Sequence, residues 1–175
     1  MVSDRHIHRL EMRTATLRNP YHFVDSGLPN VYLSGIKYRV CRACEMQSAD
    51  IPALKQLMMV LARAVVESEA PLTGLEIRFL RKRLGKKATE FAQIIGVSQE
   101  QVSRWENEHN LPEKATDNLI RIYYSIFSKD RELKRKFNQH IEEMLTALRA
   151  KKQLDKFRAK LTDGGWRVEP VRIAA

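Results

Sequence analysis

Apolar residues fall into two spacings along the chain. Between residues 21 and 44 they alternate with polar ones in Val31-Tyr32-Leu33 and Ile36-Lys37-Tyr38-Arg39-Val40, interrupted by Gly27-Leu28-Pro29-Asn30 and Ser34-Gly35. A period of two broken by turn residues predicts a small antiparallel meander or hairpin. Residues 1–20 show no stable period and read as loosely held. From residue 50 the spacing becomes helical. Asp50 can cap a helix with Pro52 in its first turn, and Leu54, Leu57, Met58, Leu61 and Val65 recur on one face until Glu69-Ala70-Pro71. Thr73 and Glu76, flanked by Leu72 and Ile77, then spell a capping box with a hydrophobic staple. Phe79, Leu80 and Leu84 give that helix its buried side, and Gly85 ends it. Further helices are predicted over residues 88–95 and 99–107, and another begins near 114, after Pro112, with Leu119, Ile120, Ile122 and Tyr123.

From Lys129 to about Leu161 there is neither proline nor glycine, while Leu133, Phe137, Ile141, Leu145 and Leu148 return at helical spacing. This predicts a long helix that either breaks once near Lys151 or extends to meet a partner. Trp166-Arg167-Val168-Glu169-Pro170-Val171 reads as a short edge strand. The expected fold is mainly α: a small β module at 1–49, a connector helix at 50–70, a compact helical domain at 71–127, and a helical extension and tail at 128–175 that assists dimerisation.

Residues 88–107 combine the requirements of a helix-turn-helix. Ala92 is small where two helices cross closely, Gly96 permits the reversal, and Ser98 caps the next helix with Gln101 in the reciprocal position. Phe91, Ile94, Ile95, Val102 and Trp105 supply the apolar sides. The outward positions of the second helix are Gln99, Glu100, Ser103, Arg104 and Asn107. Glutamine can pair with adenine N7 and N6, arginine can fork onto guanine O6 and N7, and a carboxylate can accept from cytosine N4. Ser103 can reach a base edge or a phosphate. Gln99 and Arg104 are the strongest base-reading candidates.

A formal net charge of +10 points to a polyanionic partner. Arg78, Arg81, Lys82, Arg83, Lys86 and Lys87 precede the reading helix, and of these Arg78, Arg81, Lys82, Lys86 and Lys87, together with Ser98, are expected to face DNA phosphates. The plainer alternative for each lysine or arginine is the ordinary solvated cover of an exposed helix. No apolar run approaches about 20 residues and the amino terminus lacks the apolar core of a secretory signal, so the expectation is a cytoplasmic protein with no membrane partner. Catalysis is not expected: the sequence offers no paired carboxylates, no glycine-rich phosphate loop and no nucleophile with an evident base. The aromatic residues do not make the stacking platform of single-stranded RNA recognition.

Beyond these readings, the chain resembles antitoxins of the MqsA type and YgiT-type regulators that join a zinc-ribbon module to an Xre-like, lambda-repressor-like helix-turn-helix. The resemblance covers about residues 20–125. It is carried by Tyr21-His22-Phe23, Ser26-Gly27-Leu28-Pro29-Asn30-Val31-Tyr32-Leu33, Tyr38-Arg39-Val40-Cys41-Arg42-Ala43-Cys44 and Leu72-Thr73-Gly74-Leu75-Glu76-Ile77-Arg78-Phe79-Leu80-Arg81-Lys82. It implies a homodimer that binds a palindromic double-stranded DNA operator and represses its own operon. The alternative it implies is an antitoxin that holds an RNA-cleaving toxin through the amino-terminal module.

The chain departs from that pattern in two respects. The family's first Cys-x-x-Cys is missing, Met12-Arg13-Thr14-Ala15-Thr16 standing in its place, and Glu45 follows Cys44 where glycine is usual. A structural zinc site wants four nitrogen or sulfur ligands. Cys41 and Cys44 supply two, and His6 and His8 could complete the set. The favoured expectation is a module without metal or other cofactor, held by apolar packing.

Overall fold

The structure, a computed structural model, describes residues 10–150, 157–162 and 165–170, and the chain divides into two compact units, Met1–Lys134 and Arg135–Ala175. The first unit contains strands β1 (Leu10–Thr14), β2 (Tyr21–His22), β3 (Tyr32–Leu33), β4 (Lys37–Cys41) and β5 (Gln47–Ala49), followed by helices α1 (Leu54–Glu67), α2 (Gly74–Arg83), α3 (Ala88–Ile95), α4 (Gln99–Glu106) and α5 (Lys114–Phe127). Helix α6 (Arg131–Ala150) starts in the first unit and runs into the second, which also holds β6 (Phe157–Thr162) and β7 (Gly165–Pro170). A small β module, a helix-turn-helix region and a long helical extension are thus all present.

The module is two antiparallel sheets, one of three strands and one of two. β4 is central, pairing with β1 from Leu10↔Cys41 to Thr14↔Lys37 and with β5 from Tyr38↔Ala49 to Val40↔Gln47. β2 pairs separately with β3. Strand β1 corrects the expectation of a loosely held amino terminus for Leu10–Thr14; residues 1–9, which the same expectation covered, lie outside the described residues. As an edge strand with Leu10 and Met12 exposed and only Glu11 half-buried, it has no burial alternation to leave a mark in the sequence. Its order comes from the ladder to β4. Tyr21, Phe23, Leu28, Val31, Tyr38 and Val40 form the module's interior, which is continuous with that of the helices through Ala62, Val65, Leu72, Ile77, Leu80, Phe91, Val102 and Ile120. Each large apolar side chain buried in this way contributes about 1.5–3 kcal/mol.

Helix α1 begins later than its sequence suggests. β5 holds the chain extended to Ala49, so Asp50 and Pro52 precede the helix, and Ala53 opens it in the left-handed region at φ 49°, with no side-chain cap. Two ionic clamps fix this helix. Asp117 and Arg121 on α5 pair at 2.5 Å, Asp117 also accepts the Leu72 N–H at 2.6 Å, and the Arg121 guanidinium donates to the carbonyls of Val65, Val66, Ser68 and Ala70. One guanidinium thereby satisfies the last turn of α1 and the chain leading into α2.

The second clamp is Arg63 on α1, bonded to both Asp130 oxygens at 2.9–3.1 Å and to Glu132. Asp130 Oδ1 also accepts the N–H groups of Glu132 and Leu133, capping α6. Burial works to raise the Asp130 pKa, but the Leu133 N–H, Arg63 and the Glu132 N–H outweigh it and hold the carboxyl below its ordinary value. A depressed carboxylate stabilises the fold fully above its unfolded pKa of about 3.9, and that stability disappears as pH falls through the lower folded value. Urea denaturation at a series of pH values from 6 to 2 is expected to show a loss of stability below about pH 4 that is smaller in Asp130→Asn. Equal pH slopes in the two proteins would contradict this role.

Beyond Ala150 the chain differs from the long-helix expectation. Residues 157–162 are strand, not helix, and β6 pairs antiparallel with β7 from Phe157↔Pro170 to Thr162↔Gly165. Alternation of Phe157, Ala159 and Leu161 with Arg158 and Lys160 decides for the strand. The expected edge strand over 166–171 is this second strand, shifted by one residue. Lys151 and Val171 lie outside the described residues.

Candidate nucleic-acid interface

Each helix of the reading domain starts or stops at a residue suited to it. Thr73 Oγ1 accepts the Glu76 N–H at 3.3 Å while Glu76 Oε2 accepts the Thr73 N–H at 2.8 Å, with Leu72 and Ile77 buried beside the box. Glu90 similarly accepts the Lys87 N–H at the start of α3. Gly96, at φ 78°, turns the chain between α3 and α4, and its N–H and that of Val97 both donate to the Ala92 carbonyl. Ser98 Oγ accepts the Gln101 N–H at 3.1 Å, as the sequence suggests. The reciprocal bond from the Ser98 N–H to the Gln101 side chain is not formed; the Ser98 hydroxyl also bonds the Glu100 carboxylate.

Phe91, Ala92, Ile95, Val102 and Trp105 are buried, so the two helices are locked by the faces expected; Ile94 alone of that set stays exposed. Gly74 lies against α4 so closely that a Cβ placed on it would sit 2.0 Å from the Trp105 carbonyl oxygen.

The side of α4 away from solvent carries an acid. Glu106 is buried, and Arg81 forks onto it with Nε–Oε1 at 2.6 Å and Nη2–Oε2 at 2.8 Å while donating Nη1 to the Lys86 carbonyl at 2.7 Å. The bonds to Glu106 and its charge raise the Arg81 pKa above its ordinary value against the opposing effect of burial. Arg78 reaches Glu106 Oε2 at 3.2 Å, the Glu106 carbonyl at 2.7 Å and Asn107 Oδ1 at 3.0 Å. Asn107 in turn donates to the Ser103 carbonyl at 2.9 Å. Arg81 and Arg78, placed by sequence among the phosphate contacts, are therefore bonded within the domain as a brace between α2 and α4, and Asn107 fastens the end of α4. Sequence reasoning missed Glu106 and Gly74. An acid beside Val102 and Trp105 on an apolar face was the signal for the first, since a buried carboxylate needs a cation.

Gln99, Glu100, Ser103 and Arg104 are left exposed on one helix, with Lys82 and Lys87 exposed and Lys86 half-buried on the preceding segment. The Glu100 carboxyl is held below its ordinary value by its own backbone N–H and by the Ser98 hydroxyl. It is an ionised acceptor, fit for a base amino group and unfit for phosphate.

At the end of β4, Cys41 is buried and Cys44 exposed. Among the described residues no group of three or more His, Cys, Asp or Glu side chains is placed to hold a metal ion. His6 and His8 lie outside the described residues. No helix among them is long and apolar enough to cross a membrane.

Comparison with curated proteins gives no match. A family model described as helix-turn-helix matches residues 77–116, from the first turn of α2 to the first turn of α5, and does not reach the β module. This segment, with α3 and α4 at its centre, is an Xre-like helix-turn-helix, a non-catalytic DNA-binding domain.

Proposed function

We propose that the chain is a sequence-specific transcriptional regulator that inserts α4 into the major groove, as a dimeric repressor of its own operon acting at a palindromic operator. The observation that carries this reading is the exposed row Gln99, Glu100, Ser103 and Arg104 on a helix whose opposite face, Val102 and Trp105, is buried and whose last turn is fixed by Glu106 and its two arginines. Base readers need a rigid mount, because a bidentate contact discriminates only when its geometry is held. Lys82, Lys86, Lys87 and Ser98 are the proposed phosphate contacts, and they supply salt-dependent affinity. Asn107 serves the mount more than the groove. The regulator reading is preferred to the antitoxin one because the supporting geometry lies in the helix pair and not in the β module.

Gln99→Ala and Arg104→Ala are each expected to weaken binding to the preferred duplex by about 1–3 kcal/mol while leaving binding to unrelated DNA unchanged. Lys82→Gln and Lys87→Gln should instead weaken both duplexes alike and lower the slope of log K against log salt by about 0.9 each. Fluorescence anisotropy titrations at several salt concentrations separate the two classes. Retention of full sequence preference by both Gln99→Ala and Arg104→Ala would overturn the assignment of the groove-facing row.

A further inference from the structure

A cleft of about 430 Å³ opens between the stretch that ends in β3 and helix α1, and the first turn of α2 contributes one residue to it. Its two walls are largely apolar. Leu28, Val31 and Leu33 come from the module; Leu57, Leu61 and Val65 come from α1, where a spacing of four and four sets them on one face. Leu28, Val31 and Val65 are buried in the continuous core, whereas Leu33, Leu57 and Leu61 are half-buried, so the cleft carries the core's apolar surface outward. A cavity of about 150 Å³ holds a benzene ring, which leaves room here for a ring and a polar arm. Apolar walls with a few polar groups, at a volume between about 300 and 1,000 Å³, are the make-up of a small-ligand site.

We propose that this cleft binds a small organic amine with an apolar body, its ammonium group on the Glu76 carboxylate. Among the described residues Glu76 is the only charged side chain lining the cleft; the other polar groups there, Asn30, Tyr32 and Ser68, are neutral. The Thr73 N–H and the Thr73 hydroxyl both donate to Glu76 Oε2, at 2.8 and 2.9 Å, which leaves Oε1 to accept from a ligand. Charge complementarity selects the occupant. A carboxylate or phosphate would meet Glu76 with like charge, and a neutral ligand would forgo the charge-assisted bond. Tyr32 favours the same sign: its ring is stacked on His22 at 4.6 Å, and a held aromatic face attracts an ammonium. Glu76 also closes the capping box that starts α2, the helix whose Arg78 and Arg81 hold α4. A bound amine would therefore touch both the module and the helix that braces the reading helix. The site goes beyond the operator-binding reading and does not depend on it.

A heteronuclear NMR titration of the full chain with phenethylamine at physiological salt tests the site, with phenethyl alcohol and hydrocinnamate as probes of similar apolar body and different charge. Saturable shifts are expected at amides of residues 28–33 and 57–68. Phenethylamine should bind at least about tenfold more tightly than either of the other two, the advantage of one charge-assisted hydrogen bond. Glu76→Gln keeps a capping acceptor and removes the charge, so the fold should persist while the amine loses its advantage over the alcohol. Ala64→Phe, at an exposed position on the α1 wall, fills the space and should abolish amine binding with the thermal midpoint unchanged; it also carries the test should Glu76→Gln fail to fold. Absence of saturable shifts with the amine, alcohol or carboxylate binding as tightly as the amine, or undiminished amine binding by either variant would each overturn the proposal. Shifts at the same amides on raising the protein concentration alone would mark a second copy as the occupant and overturn it too. None of these outcomes touches the DNA preference read through Arg104→Ala, so the groove reading stands or falls separately.

Discussion

Gly74→Ala is expected to destabilise the protein by about 3 kcal/mol or more, although alanine is the better helix former. Gly74 is the first residue of α2, where the change to alanine would on propensity alone favour the helix by about 1 kcal/mol. Against that, the new methyl would lie 2.0 Å from the Trp105 carbonyl oxygen, and 3.0 Å from its carbon. The obstacle is backbone of α4, not the end of a flexible side chain, so relief requires α2 and α4 to separate. Overpacking costs about 1–3 kcal/mol where side chains can yield, and a rigid carbonyl puts this site at the upper end or beyond. Separation would also lengthen the bonds from Arg78 and Arg81 to Glu106. Urea denaturation reads the effect; a variant as stable as wild type would mean that the two helices do not approach so closely.

Glu106→Leu is expected to cost about 3–5 kcal/mol, the penalty of leaving a buried charge without its partner. The charge left behind is Arg81, largely buried with Glu106, whereas Arg78 is one-third exposed and can turn to water. Total stabilities of about 5–15 kcal/mol make this a large fraction of the whole. The double variant Arg81→Met with Glu106→Leu should recover most of the loss, because an apolar pair of similar volume replaces both charges and leaves neither orphaned. Chemical denaturation of the two singles and the double gives the coupling directly. A single-variant cost under about 1 kcal/mol would show that solvent screens the fork.

The parts of this molecule that were legible in the sequence are those specified by neighbours in the chain. The Thr73–Glu76 box, the Gly96 reversal, the Ser98 cap and the burial of Phe91, Val102 and Trp105 are local matters of three to ten residues. What escaped depends on distant partners. β1 is ordered by β4 some 25 residues away, and Arg63 finds Asp130 across the helical core. Arg78 and Arg81 counted as surface cations while Glu106 went unnoticed, because the acid that claims them lies two helices further on. The hairpin of β6 and β7 had a local signal, the Asp163-Gly164 dipeptide between alternating runs, which the regular return of apolar residues from Leu133 to Leu148 overshadowed.

The same brace narrows the site. With Arg78, Arg81 and Asn107 bonded within the domain, the proposed groove-facing set contracts to Gln99, Glu100, Ser103 and Arg104, and the proposed phosphate contacts to Lys82, Lys86, Lys87 and Ser98. So few readers on one short helix would carry limited information, which is the physical argument for the dimeric operator complex proposed above.

The most direct test of the central claim is selection from a random-sequence DNA duplex library by the full wild-type chain, at physiological salt with excess unrelated DNA. The expected result is an enriched inverted repeat whose half-sites are centred about one helical turn apart, near 34 Å, or a multiple of it, with guanine preference at one half-site position lost in Arg104→Ala. No enriched sequence, or an enriched sequence that Arg104→Ala and Gln99→Ala recover equally well, would contradict it.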